Sequence, residues 1–272
     1  MRDPALNENS LSLYFAIAYA LPVAAVAIVT LTAGVPTVLV AKEMSTGALI
    51  VVMAMVHAPT IAAIVVVFRS QRFEGIKALF LQLKDWKFAP QCYLKAILIF
   101  PVAMLAVLVL LSLASVSFTT VFSLSLMALG ALFSALWEEI GWTGFATPVM
   151  LKRFSPLNVG LLLGLLHAMW HLPASLYGSA AFLGNLFIVN FFFASVGIVG
   201  LRIVMIWIYT RTKSLVLAWL MHASFTGGQL LFVSLELTSS ETVIWNAAFA
   251  LSVTGIVIYQ VLSNLDLTIR MS

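Results

Sequence analysis

What most constrains this chain is the length of its stretches without Asp, Glu, Lys or Arg. They are 9–41, 44–68, 96–137, 154–201, 214–235 and 242–265. A helix that crosses a bilayer needs about 20 apolar residues. Runs 96–137 and 154–201 are each about twice that and predict two helices apiece. The polar cluster at 115–120 and the glycine-containing turn at 177–179 supply the breaks. The expected spans are therefore 11–33, 47–69, 93–115, 121–150, 157–177, 183–209, 214–235 and 242–264. The fold class that follows is all-α, a polytopic membrane bundle of about eight transmembrane helices. Residues 1–272 form a single integral membrane domain.

Composition excludes the alternatives. Hydrophobic residues make up 62% of the chain and charged residues 9%, whereas a soluble domain carries about 25% charge. There are too few polar groups to wet a globule, so lipid is the solvent. The net charge of +4 does not mark a nucleic-acid binder, because the basic residues fall in loops rather than along one stripe. A single cysteine, Cys92, permits neither an internal disulfide nor a cysteine metal cluster. The first span reads as a retained helix. Its apolar stretch exceeds the about 7–15 residues of a signal peptide, and Asp3 and Glu8 offset Arg2 in front of it.

Lys and Arg set the expected orientation. Arg69, Arg72, Lys77, Lys84, Lys87 and Lys95 surround one connection, Lys152 and Arg153 another, and Arg202, Arg211 and Lys213 a third. Alternating eight spans put all of them on one side with both termini, and only Lys42 on the other. The chain is expected in the cell membrane, multi-pass, with both termini cytoplasmic. Within 72–90, Phe73, Ile76, Leu79, Phe80 and Leu83 are spaced for one helical face. This reads as an amphipathic segment in the membrane interface or as an ordinary basic connection.

Ionisable groups inside spans are costly and are functional candidates by default. They are His57, Glu138, Glu139, His167, His171 and His222. At about 1.5 Å per residue from each span's centre, Glu138 lies about 3 Å toward the cytoplasm, His171 about 6 Å toward the outside and His222 about 4 Å toward the cytoplasm. Three groups from three helices thus fall within about 10 Å of one depth. Adjacent carboxylates project about 100° apart on a helix, so Glu138 and Glu139 cannot serve one site equally. His57 and His167 read equally well as interhelical hydrogen bonders.

These residues form a pattern. Glu138-Glu139-Ile140-Gly141-Trp142-Thr143-Gly144-Phe145 resembles a Glu-Glu-x-x-x-Arg motif, His167-Ala168-Met169-Trp170-His171 a Phe-x-x-x-His motif, and His222-Ala223-Ser224-Phe225-Thr226 a His-x-x-x-Asn motif. In this order, over about residues 120–230, they resemble the CAAX prenyl protease type II family, the CPBP intramembrane glutamic endopeptidases. Thr143, His167 and Thr226 depart from the motifs. The resemblance implies that Glu138 activates a water with Glu139 and His171 in support, and that His222 and Thr226 stabilise the oxyanion. It implies a glutamate-dependent peptidase whose partners are the lipid bilayer and a peptide or lipidated protein substrate, with no cofactor.

Three readings compete with it. His171, His222, His167 and a glutamate could supply zinc ligands, although the His167-x-x-x-His171 pair lacks the interposed Glu of a His-Glu-x-x-His motif. A non-catalytic membrane protein of the same fold, with a regulatory or immunity role, would tolerate Thr143 and Thr226. An ion-coupled transporter would also bury Glu and His, but it predicts an internal repeat that the two halves do not show.

Overall fold

A computed structural model describes residues 8–34, 45–124, 126–234 and 236–270. Arg2, Asp3 and Lys42, which entered the charge argument, lie outside them. Among the described residues the fold is entirely helical, as the uncharged runs require. The long helices are α1 (Glu8–Ala33), α2 (Thr46–Leu81), α3 (Pro90–Ser112), α4 (Leu126–Gly141), α6 (Pro156–Trp170), α9 (Phe187–Thr212), α10 (Leu215–Phe232) and α11 (Ser239–Arg270). Three short helices connect them: α5 (Thr147–Met150), α7 (Leu172–Gly178) and α8 (Ala180–Leu183). Among the described residues, seven stretches are long and apolar enough to cross a membrane. The eighth expected crossing is α4, which passes through a π-helical turn at Trp142–Ala146 into α5.

One expectation needs correction. Helix α4 begins at Leu126 rather than 121. Residues 121 and 123 instead donate backbone hydrogen bonds to the Phe232 and Leu231 carbonyls at the end of α10. The β-branched run Thr119–Val121 and the flanking serines favour this over helix, because they lose rotamers or compete for backbone bonds. The amphipathic 72–90 segment begins as a continuation of α2. Helix α2 breaks at Arg72 (φ 54°, ψ −144°) and continues to Leu81. Its continuation lays Ile76, Leu79, Phe80 and Leu83 on the core, and only Phe73 stays 75% exposed. Beyond it, Gln82 Nε2 donates to the Gly144 carbonyl at 3.1 Å.

Packing forms two large cores and a small third cluster of Val29, Ala48, Val51 and Tyr177. One large core gathers Tyr14, Trp142, Phe145, Leu163 and Trp170 between α1, α2, α4 and α6. The other gathers Phe100, Met104, Phe225, Trp245 and Phe249 between α3, α10 and α11. Helix α10 packs against α3, α4 and α9 and so joins them. Two close approaches set the positions of α4 and α6. Gly160 and Gly164, spaced as small-x-x-x-small, let α6 lie directly on the Ile203 and Val199 backbone of α9. Helix α4 rests on α2, where the Thr60 hydroxyl donates to the Trp137 carbonyl and Gly141 abuts the Pro59 carbonyl.

Candidate active site

Glu138 and Glu139 stand in the last turn of α4, just before the π-helical turn. Their different directions give them different partners. Glu139 is fully buried, and Arg202 of α9 grips it with a fork: Nη1 donates to Oε2 at 2.8 Å and Nη2 to Oε1 at 2.6 Å. The Thr143 hydroxyl, one turn along, donates to Oε2. His222 of α10 places Nδ1 2.7 Å from Oε1, and beside an arginine-paired carboxylate that nitrogen is the donor. Four hydrogen bonds compensate the burial of this anion. Breaking such a buried pair by removing one partner costs about 3–5 kcal/mol.

Glu138 is held differently. Its Oε2 lies 3.4 Å from His167 Nε2 and 4.0 Å from His222 Nε2. Both Glu138 Oε2 and His167 Nε2 are buried without a hydrogen-bond partner among the described residues. A buried polar atom without a partner costs about 1–3 kcal/mol, so this pocket suits a small polar reactant. His167 is fixed from behind, since Arg202 Nε donates to its Nδ1 at 3.0 Å.

Of the residues that the motifs single out, the fold brings Glu138, Glu139 and His222 into one cluster. His171 ends α6, packs its ring 5.0 Å from that of His167, and makes no hydrogen bond to either glutamate among the described residues. Thr226 lies one turn beyond His222 on the same face of α10 and is half-buried. His57 is elsewhere, on α2, with Nδ1 2.8 Å from the Met53 carbonyl and its ring beside Trp137.

Two residues carry more than sequence reasoning gave them. His167, read with even weight as a packing histidine, is the nearest imidazole to Glu138. Arg202, counted among loop cations, is fully buried inside α9 and leaves the topology count. The signal was present: the span expected at 183–209 encloses Arg202, and a charge within a span is a site candidate.

Glu138, His167 and His222 each offer a ligand atom within 4.8 Å of the others, which is close enough to hold a metal ion. The donor chemistry of His167 fits poorly. Its Nδ1 accepts from Arg202, so the neutral ring carries its proton on Nε2, the atom that would have to ligate. His171 is not one of the trio.

With this geometry in view, the relatives are informative. CAAX prenyl protease 2 of Methanococcus maripaludis is 25% identical over 138 residues, which cover 47% of this chain and 47% of the relative. The matched stretch thus spans about half the length of that protein. Residues 120–227, which hold every member of the cluster around Glu138 and Glu139, match the family model described as type II CAAX prenyl endopeptidase Rce1-like, the family that the three motifs resemble.

Proposed function

We propose that this chain is an intramembrane endopeptidase in which Glu138 activates a water against a peptide bond of a membrane-associated substrate. The observation that carries this reading is the buried Glu138 Oε2 facing two imidazole nitrogens at 3.4 and 4.0 Å. A carboxylate can take the proton of a water as its oxygen attacks the carbonyl carbon. The same proton, carried by Glu138, then goes to the amine as the C–N bond breaks. Glu139, neutralised by Arg202, holds the His222 ring by Nδ1. When His222 carries its second proton, Nε2–H becomes an oxyanion donor, and the Thr226 hydroxyl on the same helix face is the second. His171 acts through its packing on His167.

No metal is needed for this chemistry, and the donor state of His167 favours its absence. We also place both termini on the cytoplasmic side, with the site in a cell membrane.

The test is cleavage of farnesylated and unprenylated peptides by purified protein, wild type against Glu138→Gln. The amide keeps the shape of the side chain but cannot take a proton. Cleavage by wild type and none by a folded Glu138→Gln variant supports the reading. Full activity in that variant excludes Glu138 as the base, and a folded wild type that cleaves neither peptide favours the non-catalytic alternative.

A further inference from the structure

We infer that Arg202 is a positioning residue that sets the tautomer of His167 and, through it, the orientation of Glu138. The inference deepens the proposal above and rests on Glu138 being the base. An arginine side chain has five N–H donors and no acceptor. Its Nε–H points at His167 Nδ1 from 3.0 Å, so Nδ1 must present its lone pair. The neutral ring then has its proton on Nε2, which faces Glu138 Oε2 at 3.4 Å. A donor therefore meets the carboxylate at a distance that closes to a hydrogen bond with a small movement, as catalytic contacts do when substrate binds.

Each of the other states of His167 loses or reverses at least one of these contacts. The Nδ1–H tautomer sets two N–H groups against each other and turns a lone pair toward the carboxylate. A doubly protonated ring puts its Nδ1–H, and a second positive charge, against the guanidinium. A flipped ring replaces both nitrogens with carbon. One state of the ring satisfies both neighbours, and Arg202 selects it.

Arg202 can do this because it is itself immobile. Both of its terminal nitrogens are committed to Glu139, and its guanidinium carbon lies 5.8 Å from the centre of the Trp142 ring. The side chain is fully buried. The seating of Gly160 and Gly164 on α9 fixes the distance between the helix that carries His167 and the helix that carries Arg202. Position 143, where the motif has arginine, is Thr143, and its hydroxyl shares Oε2 of Glu139 with Arg202. In this chain the guanidinium therefore comes from α9, and from there it reaches α4 and α6 together.

Selective ¹⁵N-histidine labelling tests the inference without any substrate, since the chain has 4 histidines and His167→Phe identifies the signal. In wild type at neutral pH, His167 should show a protonated Nε2 and an unprotonated Nδ1. In Arg202→Lys the charge remains for Glu139, but a single ammonium cannot reproduce the fork and the Nε contact together. His167 should then become a mixture of tautomers, and kcat should fall about 10²-fold with KM unchanged, as expected for a misplaced catalytic group. A wild-type His167 that is Nδ1–H or doubly protonated overturns the inference, even if Arg202→Lys does not fold. So does a folded Arg202→Lys whose tautomer or kcat is unchanged. If wild type cleaves no peptide, the endopeptidase reading fails on its own, and the histidine spectrum still decides what Arg202 does to His167.

Discussion

Gly141 offers a quantitative test of how the acids are held. A Cβ built there would stand 2.3 Å from the Pro59 carbonyl oxygen, 2.4 Å from its carbonyl carbon and 2.6 Å from its Cβ. Two of these atoms are backbone and cannot turn aside. Ordinary non-bonded separation is about 3.5 Å, so Gly141→Ala must push α4 from α2 by about 1 Å. Overpacking of this kind costs about 1–3 kcal/mol. Glu138 and Glu139 lie three and two residues away on the same rigid helix and would move with it. A displacement of about 1 Å at a reacting group costs about 10²-fold in rate. The expected result is a lower melting temperature together with a fall in kcat of about that size. The control is Gly130→Ala on the same helix, where a Cβ meets nothing within 4 Å. There the better helix propensity of alanine should leave stability unchanged or raise it by about 0.5–1 kcal/mol. A Gly141→Ala protein that melts and cleaves like wild type would refute the reasoning.

Three further outcomes are expected. Cleavage should survive prolonged EDTA or phenanthroline, and loss of activity that added zinc restores would reverse the assignment of the water to Glu138. Thr226→Asn should leave turnover unchanged or raise it, because the amide reaches further toward an oxyanion; one donor in such a site is worth about 10²–10³ in rate. A variant with an unaltered melting curve and turnover cut tenfold would remove position 226 from the oxyanion site. A reporter fused after Ser272 should read as cytoplasmic, and an extracytoplasmic signal would overturn the eight-crossing topology.

The crossings were legible because lipid demands long uncharged runs, and those runs are unmistakable in 154–201 or 214–235. The start of α4 was less so. The apolar content of 121–124 suits a helix and an extended strand of chain equally, and the bonds to Phe232 and Leu231 decide for the latter. Glu138, Glu139 and His222 could be found because an ionisable group in lipid stands out. Arg202 was hidden by its place in the count, nine residues before the basic turn that begins at Arg211. The Thr60 bond to α4, the Trp170 bond to the Ala18 carbonyl and the Pro59 abutment could not be read at all. Each uses a backbone carbonyl, and a carbonyl looks the same in every residue type.

Helix α4 carries both acids of the cluster, yet it is not among the stretches that are long and apolar enough to cross a membrane by themselves. On insertion scales an acid at a helix centre costs about 2.5–3.5 kcal/mol, and α4 has two with no basic residue of its own. The cation that neutralises Glu139 lies 63 residues further along the chain. A ribosome therefore delivers the anions well before it delivers Arg202 or His222. The neutralisation of Glu139 waits on the C-terminal half of the protein, and α4 carries its two acids alone until α9 arrives with the guanidinium.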